Sequence, residues 1–282
     1  MSQGAEASLL FRLMDDTTAP PRLTRLTFHG PLSDDRAAGM IRRLTDRVGR
    51  TAPITVLDIG CGWGEFMLRL LEAAPAATGV GIDLNEDDLA RGRAEAETRG
   101  LAGRVRFVQE SAVDTSRDPA DIVLCLGAGH ALSDDQPPES TIAALHALRR
   151  LVKPGGCVLL GEGFWQRPPT VAELSVMWPD ASASEFHDVA GLVDLTVTAG
   201  FRPVWIETAN HDEWEHFESA YQADVEEWLA AQPDHPLAKE TRDRVDRHRG
   251  MWLRGYRGVL GLAYLTLVPV AWKDSRRGLA AR

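Results

Sequence analysis

The chain has 282 residues, 44% of them hydrophobic and 26% charged; these are ordinary globular proportions that exclude a disordered or fibrous class and leave room for one core domain with appendages. Asp and Glu outnumber Lys and Arg by 41 to 31, so the cationic excess behind tight phosphate-backbone binding is missing and nucleic acid is not expected as a partner. No run approaches about 18 uninterrupted apolar residues, and the short apolar run near the N-terminus leads into acids rather than a cleavage region, so a cytoplasmic protein without a membrane partner is expected.

In chain order, Thr18–Arg22 and His29–Leu32 break the front section into loop and short helix. Ser33 is the N-cap candidate of an amphipathic helix whose stripe is Ala37, Met40, Ile41, Leu44 and Val48. Residues 1–50 therefore read as an N-terminal helical extension or lid. From Ile54 a strand–helix alternation sets in, with apolar runs that suit strands buried on both faces of a parallel sheet. Strands are expected at Ile54–Ile59, Val80–Asp83, Val105–Gln109, Ile122–Leu126 and Cys157–Gly161, the last after a turn at Lys153–Gly156. Helices are expected at Glu65–Ala74, Asp87–Arg99 and Ser140–Leu151. This is the pattern of a doubly wound α/β sheet. Residues 166–190 read as a lid-like insert, followed by a helix over Leu192–Ala199 and a strand over Arg202–Glu207. Residues 211–255 form a helical segment, and Leu260–Ala271 a final strand. The main domain is set at 51–272 and a flexible tail at 273–282.

Cys61, Cys125 and Cys157 are odd in number and far apart, so they read as reduced thiols, and no metal site is expected. The arginines of Arg242–Arg257 alternate with Asp243 and Asp246, the mark of a solvated helix face.

The chemistry concentrates in Val56-Leu-Asp-Ile-Gly-Cys-Gly-Trp-Gly-Glu-Phe66. Gly60, Gly62 and Gly64 directly follow the first strand, where a sharp turn and a closely approaching ligand both demand that no Cβ be present. A dinucleotide fingerprint, G-x-G-x-x-G, would need glycine where Glu65 stands, and an acid at that helix start does not suit a pyrophosphate. A turn that uses its glycines only for packing would leave the placement of Asp83 to chance.

This stretch resembles motif I of the class I S-adenosylmethionine-dependent methyltransferases, with the second acid, Asp83 of Val80-Gly-Ile-Asp-Leu84, in the family's register. The resemblance covers roughly residues 33–210. It implies a doubly wound, mostly parallel seven-stranded sheet with a reversed last strand, with the N-terminal helical extension and the lid insert added to it. It also implies S-adenosylmethionine as cofactor: Asp83, followed by Leu84, would hold the ribose hydroxyls, and Asp58 would orient the methionine ammonium. Gly60, Cys61, Gly62 and Gly64 would line methionine and ribose, and Leu126 and Gly127 would lie beneath the cofactor. Ser111 stands where the family often has an adenine-binding acid, so Ser111 and Ala112 take the adenine role, with Glu110 as the alternative.

Methyl transfer from a sulfonium is an in-line displacement, so the protein must chiefly align the acceptor and exclude water. A base serves acceptors that lose a proton during attack. His130 and Glu162, after the fourth and fifth strands, are the candidates for base or acceptor-orienting residue. Phe164 and Trp165 are candidates for an apolar wall. Phe28 and His29 of the extension and Glu185, Phe186 and His187 of the insert are candidates for lid contacts, with a structural or surface role as the first explanation. Trp214, Phe217, Tyr221 and Trp228 share one helical stripe; core packing is the first explanation and a substrate wall, through Tyr221, the second. The expected activity is methylation of a small-molecule oxygen, nitrogen or carboxylate, by a chain that would act alone or as a homodimer. The alternatives are a non-methylating enzyme that uses the same cofactor and a non-catalytic cofactor-binding module.

Overall fold

A computed structural model describes residues 23–49 and 53–271. The expected loop at Thr18–Arg22 and the tail at 273–282 lie outside the described residues, as do positions 1–22 of the front extension.

Seven strands form one sheet: β1 (Thr55–Ile59), β2 (Thr78–Asp83), β3 (Val105–Gln109), β4 (Ala120–Leu126), β5 (Val152–Trp165), β6 (Phe201–Thr208) and β7 (Leu260–Pro269). Their order is β3-β2-β1-β4-β5-β7-β6. The first five run parallel, and β7 is antiparallel to both β5 and β6. Strands run outward from β1 on one side and from β4 on the other, so their carboxyl ends open a crevice at the switch point, where ligands bind in such sheets.

The helices are α1 (Asp34–Val48), α2 (Glu65–Ala73), α3 (Glu86–Thr98), α4 (Glu139–Leu151), α5 (Val171–Leu174), α6 (Val189–Thr198), α7 (His211–Ala231) and α8 (Ala238–Met251). Ser33 caps α1 by accepting from Arg36 N, with Asp34 and Asp35 in the first turn, where acids complement the helix dipole. Met40 and Leu44 of α1 join Met67 and Leu71 of α2 in one core. Leu145 and Leu148 of α4 join Leu192 of α6 and Phe201 of β6 in the other. The central strands are buried from both faces, which is why they read as apolar runs rather than alternating ones.

β5 differs from expectation. It was expected over five residues from Cys157, whereas it runs for 14 residues from Val152 to Trp165. Val152 already pairs with Ala120, an irregularity follows between Ala120 and Ile122, and Gly155 takes φ +82°, so the strand kinks at its Pro-Gly-Gly without ending. At the other end antiparallel pairing with β7 carries it on to Trp165↔Leu260.

The segment between β6 and β7 and the residues before α1 close over the strand ends. Leu26 and Trp63 pack with Phe217, Tyr221 and Val225 of α7 and Val245 of α8. Arg36 binds Glu213 through Nε (2.8 Å) and Nη2 (2.9 Å), and Ser33 Oγ donates to the same carboxylate at 2.7 Å. Burial alone would raise the Glu213 pKa, but the bonds from Arg36, Ser33 and Asn210 prevail and hold it below the usual carboxylate range.

Candidate active site

A cavity of about 610 Å³ lies over the carboxyl ends of β1, β2, β4 and β5, within the roughly 300–1,000 Å³ of small-molecule sites. Asp58, Gly60, Cys61, Gly62, Gly64, Asp83, Leu84, Ser111, Ala112, Leu126 and Gly127 all line it, as do His29, His130, Glu162 and Tyr221. Trp165 and His187 do not.

Gly60, Gly62 and Gly64 have φ of +59°, +53° and +69°, the left-handed region that costs a residue with a Cβ about 1–2 kcal/mol. Their surroundings differ. A Cβ on Gly60 would fall 2.4 Å from Ala128 Cβ, and one on Gly64 would fall 2.5 Å from the Phe107 ring. At Gly62 the nearest atom is His29 Nδ1, at 3.8 Å. Two of the glycines thus let the turn seat against the protein, while the third leaves a face open to the cavity.

Asp83 ends β2 with its carboxylate between two backbone donors: Oδ2 accepts from Gly62 N at 2.8 Å and Oδ1 from Asn85 N at 2.9 Å. Asp58, on the neighbouring strand β1 opposite Gly81, is 4% exposed, and burial followed by the nearby Asp83 charge pushes its pKa well above the usual value. Leu84 stays 57% exposed, an apolar surface at the cavity edge. Ser111 Oγ accepts from Val113 N at 3.2 Å. Glu110 is bound by Arg117, first through a side-chain hydrogen bond, which holds its carboxyl below the usual range.

The electrostatic reading of Glu65 needs correcting. Its carboxylate is held by Arg69 Nε and Arg99 Nη2, each at 2.6 Å. The charge at the start of α2 is therefore compensated, so it does not by itself repel a phosphate. What still separates this turn from the dinucleotide pattern is the missing third glycine.

On the other side of the switch point Glu162 faces the cavity from β5. A Cβ at Gly129 would fall 2.2 Å from its Oε2, so glycine there makes room for the carboxylate. Burial pushes the Glu162 pKa up to about 7, against a hydrogen bond from the backbone of Gly163; among the described residues no ion pair balances it. His130 sits on a 3₁₀ turn, Gly129–Leu132, and is exposed at the cavity rim.

The expected wall of Phe164 and Trp165 is not there. Phe164 is core, and Trp165, 4% exposed, donates Nε1 to Ala183 O at 3.1 Å. It packs edge-on to Phe186, centroids 5.0 Å apart, and so backs the wall that Trp178 and Phe186 present to the cavity. His187 meets Trp165 through its backbone, its carbonyl accepting from Trp165 N at 2.8 Å. The β-strand alternation sends Phe164 to the helix side, and the insert folds its aromatic residues over Trp165.

The α7 stripe splits. Trp214, Phe217 and Tyr221 line the cavity, while Trp228 packs edge-on against His235. Glu218 shares that face and was not singled out from sequence, although an acid at the i+4 position from Trp214 on an apolar stripe was a readable signal. It is 2% exposed and accepts from Tyr256 Oη at 2.7 Å and from His248 Nε2 at 2.9 Å. Tyr221 stacks on His248, centroids 5.0 Å apart. Glu218, His248 and Tyr256 all line the cavity.

Residues 56–156 match a family described as a methyltransferase domain. The chain is 29% identical over 219 residues to the uncharacterized protein YjhP of Escherichia coli K12, covering 77% of this chain and 84% of that one. Other curated relatives are named as methyltransferases or a probable methyltransferase, and the chain spans less than half of their length. A crystal structure of an S-adenosylmethionine-dependent methyltransferase from Geobacter sulfurreducens, in complex with S-adenosyl-L-homocysteine, superposes with a TM-score of 0.72 at 27% identity over 89% of this chain and 99% of that one. A Thiobacillus denitrificans methyltransferase in the same complex gives 0.73 at 25% identity over 89% and 100%.

Proposed function

We propose that this chain, a class I S-adenosylmethionine-dependent methyltransferase, transfers a methyl group to a small-molecule oxygen, nitrogen or carboxylate acceptor. The observation that carries the reading is a cavity of about 610 Å³ at the strand ends, with the glycine turn and Asp83 on one side of the switch point and aromatic and acidic side chains on the other. The glycine-turn side suits the cofactor: Gly62 leaves space where a Cβ would stand, Asp83 offers two carboxylate oxygens at the strand tip, and Leu84 offers an uncovered apolar face.

In this reading Asp83 accepts from the ribose hydroxyls, Asp58 faces the methionine ammonium, and Ser111 with Ala112 borders the adenine. Gly60, Cys61, Gly64, Leu126 and Gly127 shape the walls. When bound, the cofactor supplies an electrophilic methyl group on a sulfonium. The residues of the chain do the rest. Phe217, Tyr221 and the aromatic insert exclude water and hold the acceptor in line, and Glu162 takes the proton that the acceptor loses. His130, at the rim, orients the acceptor or passes the proton to solvent, and His29 closes the front edge. The extension before α1, the insert and α7–α8 act together as the lid over a domain that begins near residue 51.

Incubation with methyl-labelled S-adenosylmethionine and fractionated small molecules tests this directly. Label is expected in a low-mass product. Label found only in macromolecules, or cofactor bound with no label transferred to any acceptor, contradicts it.

A further inference from the structure

Nine Asp or Glu residues line the cavity and, among the described residues, no Lys or Arg does. Several of these acids are already accounted for. Glu65 is neutralised by Arg69 and Arg99 and Glu110 by Arg117, while Asp58 and Asp83 lie in the cofactor cradle on the β1–β2 side. Asp88 stands on α3, after β2, and Asp134 is exposed. The other three are on the far side of the switch point: Glu162 on β5, Glu185 on the insert and Glu218 on α7. A carboxylate shut away from water is costly unless a cation or several donors meet it. Glu185 has Trp178 Nε1 at 2.9 Å, and Glu218 has Tyr256 and His248. Glu162 has one backbone donor and no cationic side chain.

The walls around these acids are aromatic. Trp178, Phe186, Phe217, Tyr221 and Tyr256 line the same cavity, and ring faces attract a cation most strongly where water is excluded. The Tyr256 hydroxyl donates its hydrogen bond to Glu218, so toward the cavity it offers lone pairs. Polar groups on this side thus mostly accept hydrogen bonds, and its fixed charge is negative. A carboxylate acceptor would meet no guanidinium or ammonium here, and a phenol or alcohol would leave the negative charge of three acids, one of them buried, without a cation.

We propose that the acceptor is an amine on an apolar, ring-bearing body, received as the ammonium between Glu162 and the aromatic wall of the insert and α7. This rests on the methyltransferase reading above and narrows it to nitrogen. The ammonium first gives a proton to the Glu162 carboxylate. The freed nitrogen lone pair then forms the N–C bond as the methyl C–S bond breaks, its electron pair returning to sulfur. The methylated ammonium product carries the positive charge away, and Glu162 returns its proton to solvent.

The test uses three probes of one shape that differ in charge: 2-phenylethylamine, 2-phenylethanol and phenylacetate. Each is titrated by calorimetry into the full chain saturated with S-adenosylhomocysteine, which has no sulfonium charge to confuse the readout. The amine is expected to bind at least about ten-fold more tightly than the other two. Glu162→Gln and Glu185→Gln are each expected to reduce that preference while leaving 2-phenylethanol unchanged; two variants on separate elements guard against one that folds poorly. Equal or tighter binding of phenylacetate or the alcohol, an amine preference untouched by both variants, or binding of none of the three to the loaded protein would each overturn the proposal. Failure of S-adenosylhomocysteine itself to bind would instead remove the cofactor reading beneath it.

Discussion

Asp83 serves two ends at once, since the carboxylate that would hold a ribose also holds Gly62 N and Asn85 N. Asp83→Ala is therefore expected to weaken S-adenosylhomocysteine binding by about 1.5–3 kcal/mol, the scale of hydrogen bonds to a charged group, and calorimetry that finds unchanged affinity would remove the ribose role. At Gly62, alanine separates ligand space from folding better than a β-branched residue, which would add strain of its own at φ +53°. Gly62→Ala should cost roughly 1–2 kcal/mol in denaturant unfolding and abolish measurable cofactor binding, whereas Gly60→Ala, driven onto Ala128, should lose the fold. Glu162→Gln should lower kcat by about 10²–10⁴, the usual contribution of a base, and flatten a rate that in the parent rises with pH through about 7. The same residue has a stability signature. Its folded pKa is raised, so its favourable term is complete below the unfolded value near 4.5 and is lost as pH rises through about 7. The unfolding curves of parent and variant should diverge across that window, with the parent losing stability toward pH 7.

At the scale of elements, one carboxylate ties the start of α1 to α7. Glu213 opens α7, accepts from Asn210 N in a capping box, and holds Arg36 and Ser33 at the start of α1. Glu213→Gln should cost about 1.5–3 kcal/mol and speed proteolysis before residue 33. Because its folded pKa is depressed, that contribution is present above the unfolded value near 4.5 and fades as pH falls through the folded one, so parent and variant should converge in acid. Much of this level was legible beforehand. The spacing of Ala37, Met40, Ile41 and Leu44 and the cap at Ser33 marked α1, and the apolar runs marked the central strands, because local pattern dictates those elements. The reach of β5 to Trp165 was not legible, since antiparallel pairing with β7, about a hundred residues on, decides it. The insert and Phe186 were legible as lid candidates, but that Trp178 joins Phe186 at the cavity while Trp165 lies behind them follows from how a Pro-rich segment folds back, which no period in the sequence encodes.

For the molecule as a whole, the division of labour follows the sheet. The half that was readable from sequence is the half built on consecutive residues: the glycine turn and Asp83 lie within 24 positions of each other, from Gly60 to Asp83, and one β-α-β unit places them. The proposed acceptor half is assembled from β5, the insert, α7, α8 and the turn after it, so Glu218, His248 and Tyr256 meet only in three dimensions, and Glu218 reads in sequence as one more helix acid. Net acidity first weighed against nucleic acid; in the structure it acquires a location, because the cavity concentrates carboxylates and no Lys or Arg among the described residues faces it. A crystal structure with S-adenosylhomocysteine tests the account most directly. It should show the ribose hydroxyls on Asp83, the adenine beside Ser111 and Ala112, and the sulfur directed across Gly127 toward the chamber bounded by Glu162 and Tyr221. A nucleoside bound elsewhere, or a sulfur directed away from that chamber, would contradict it.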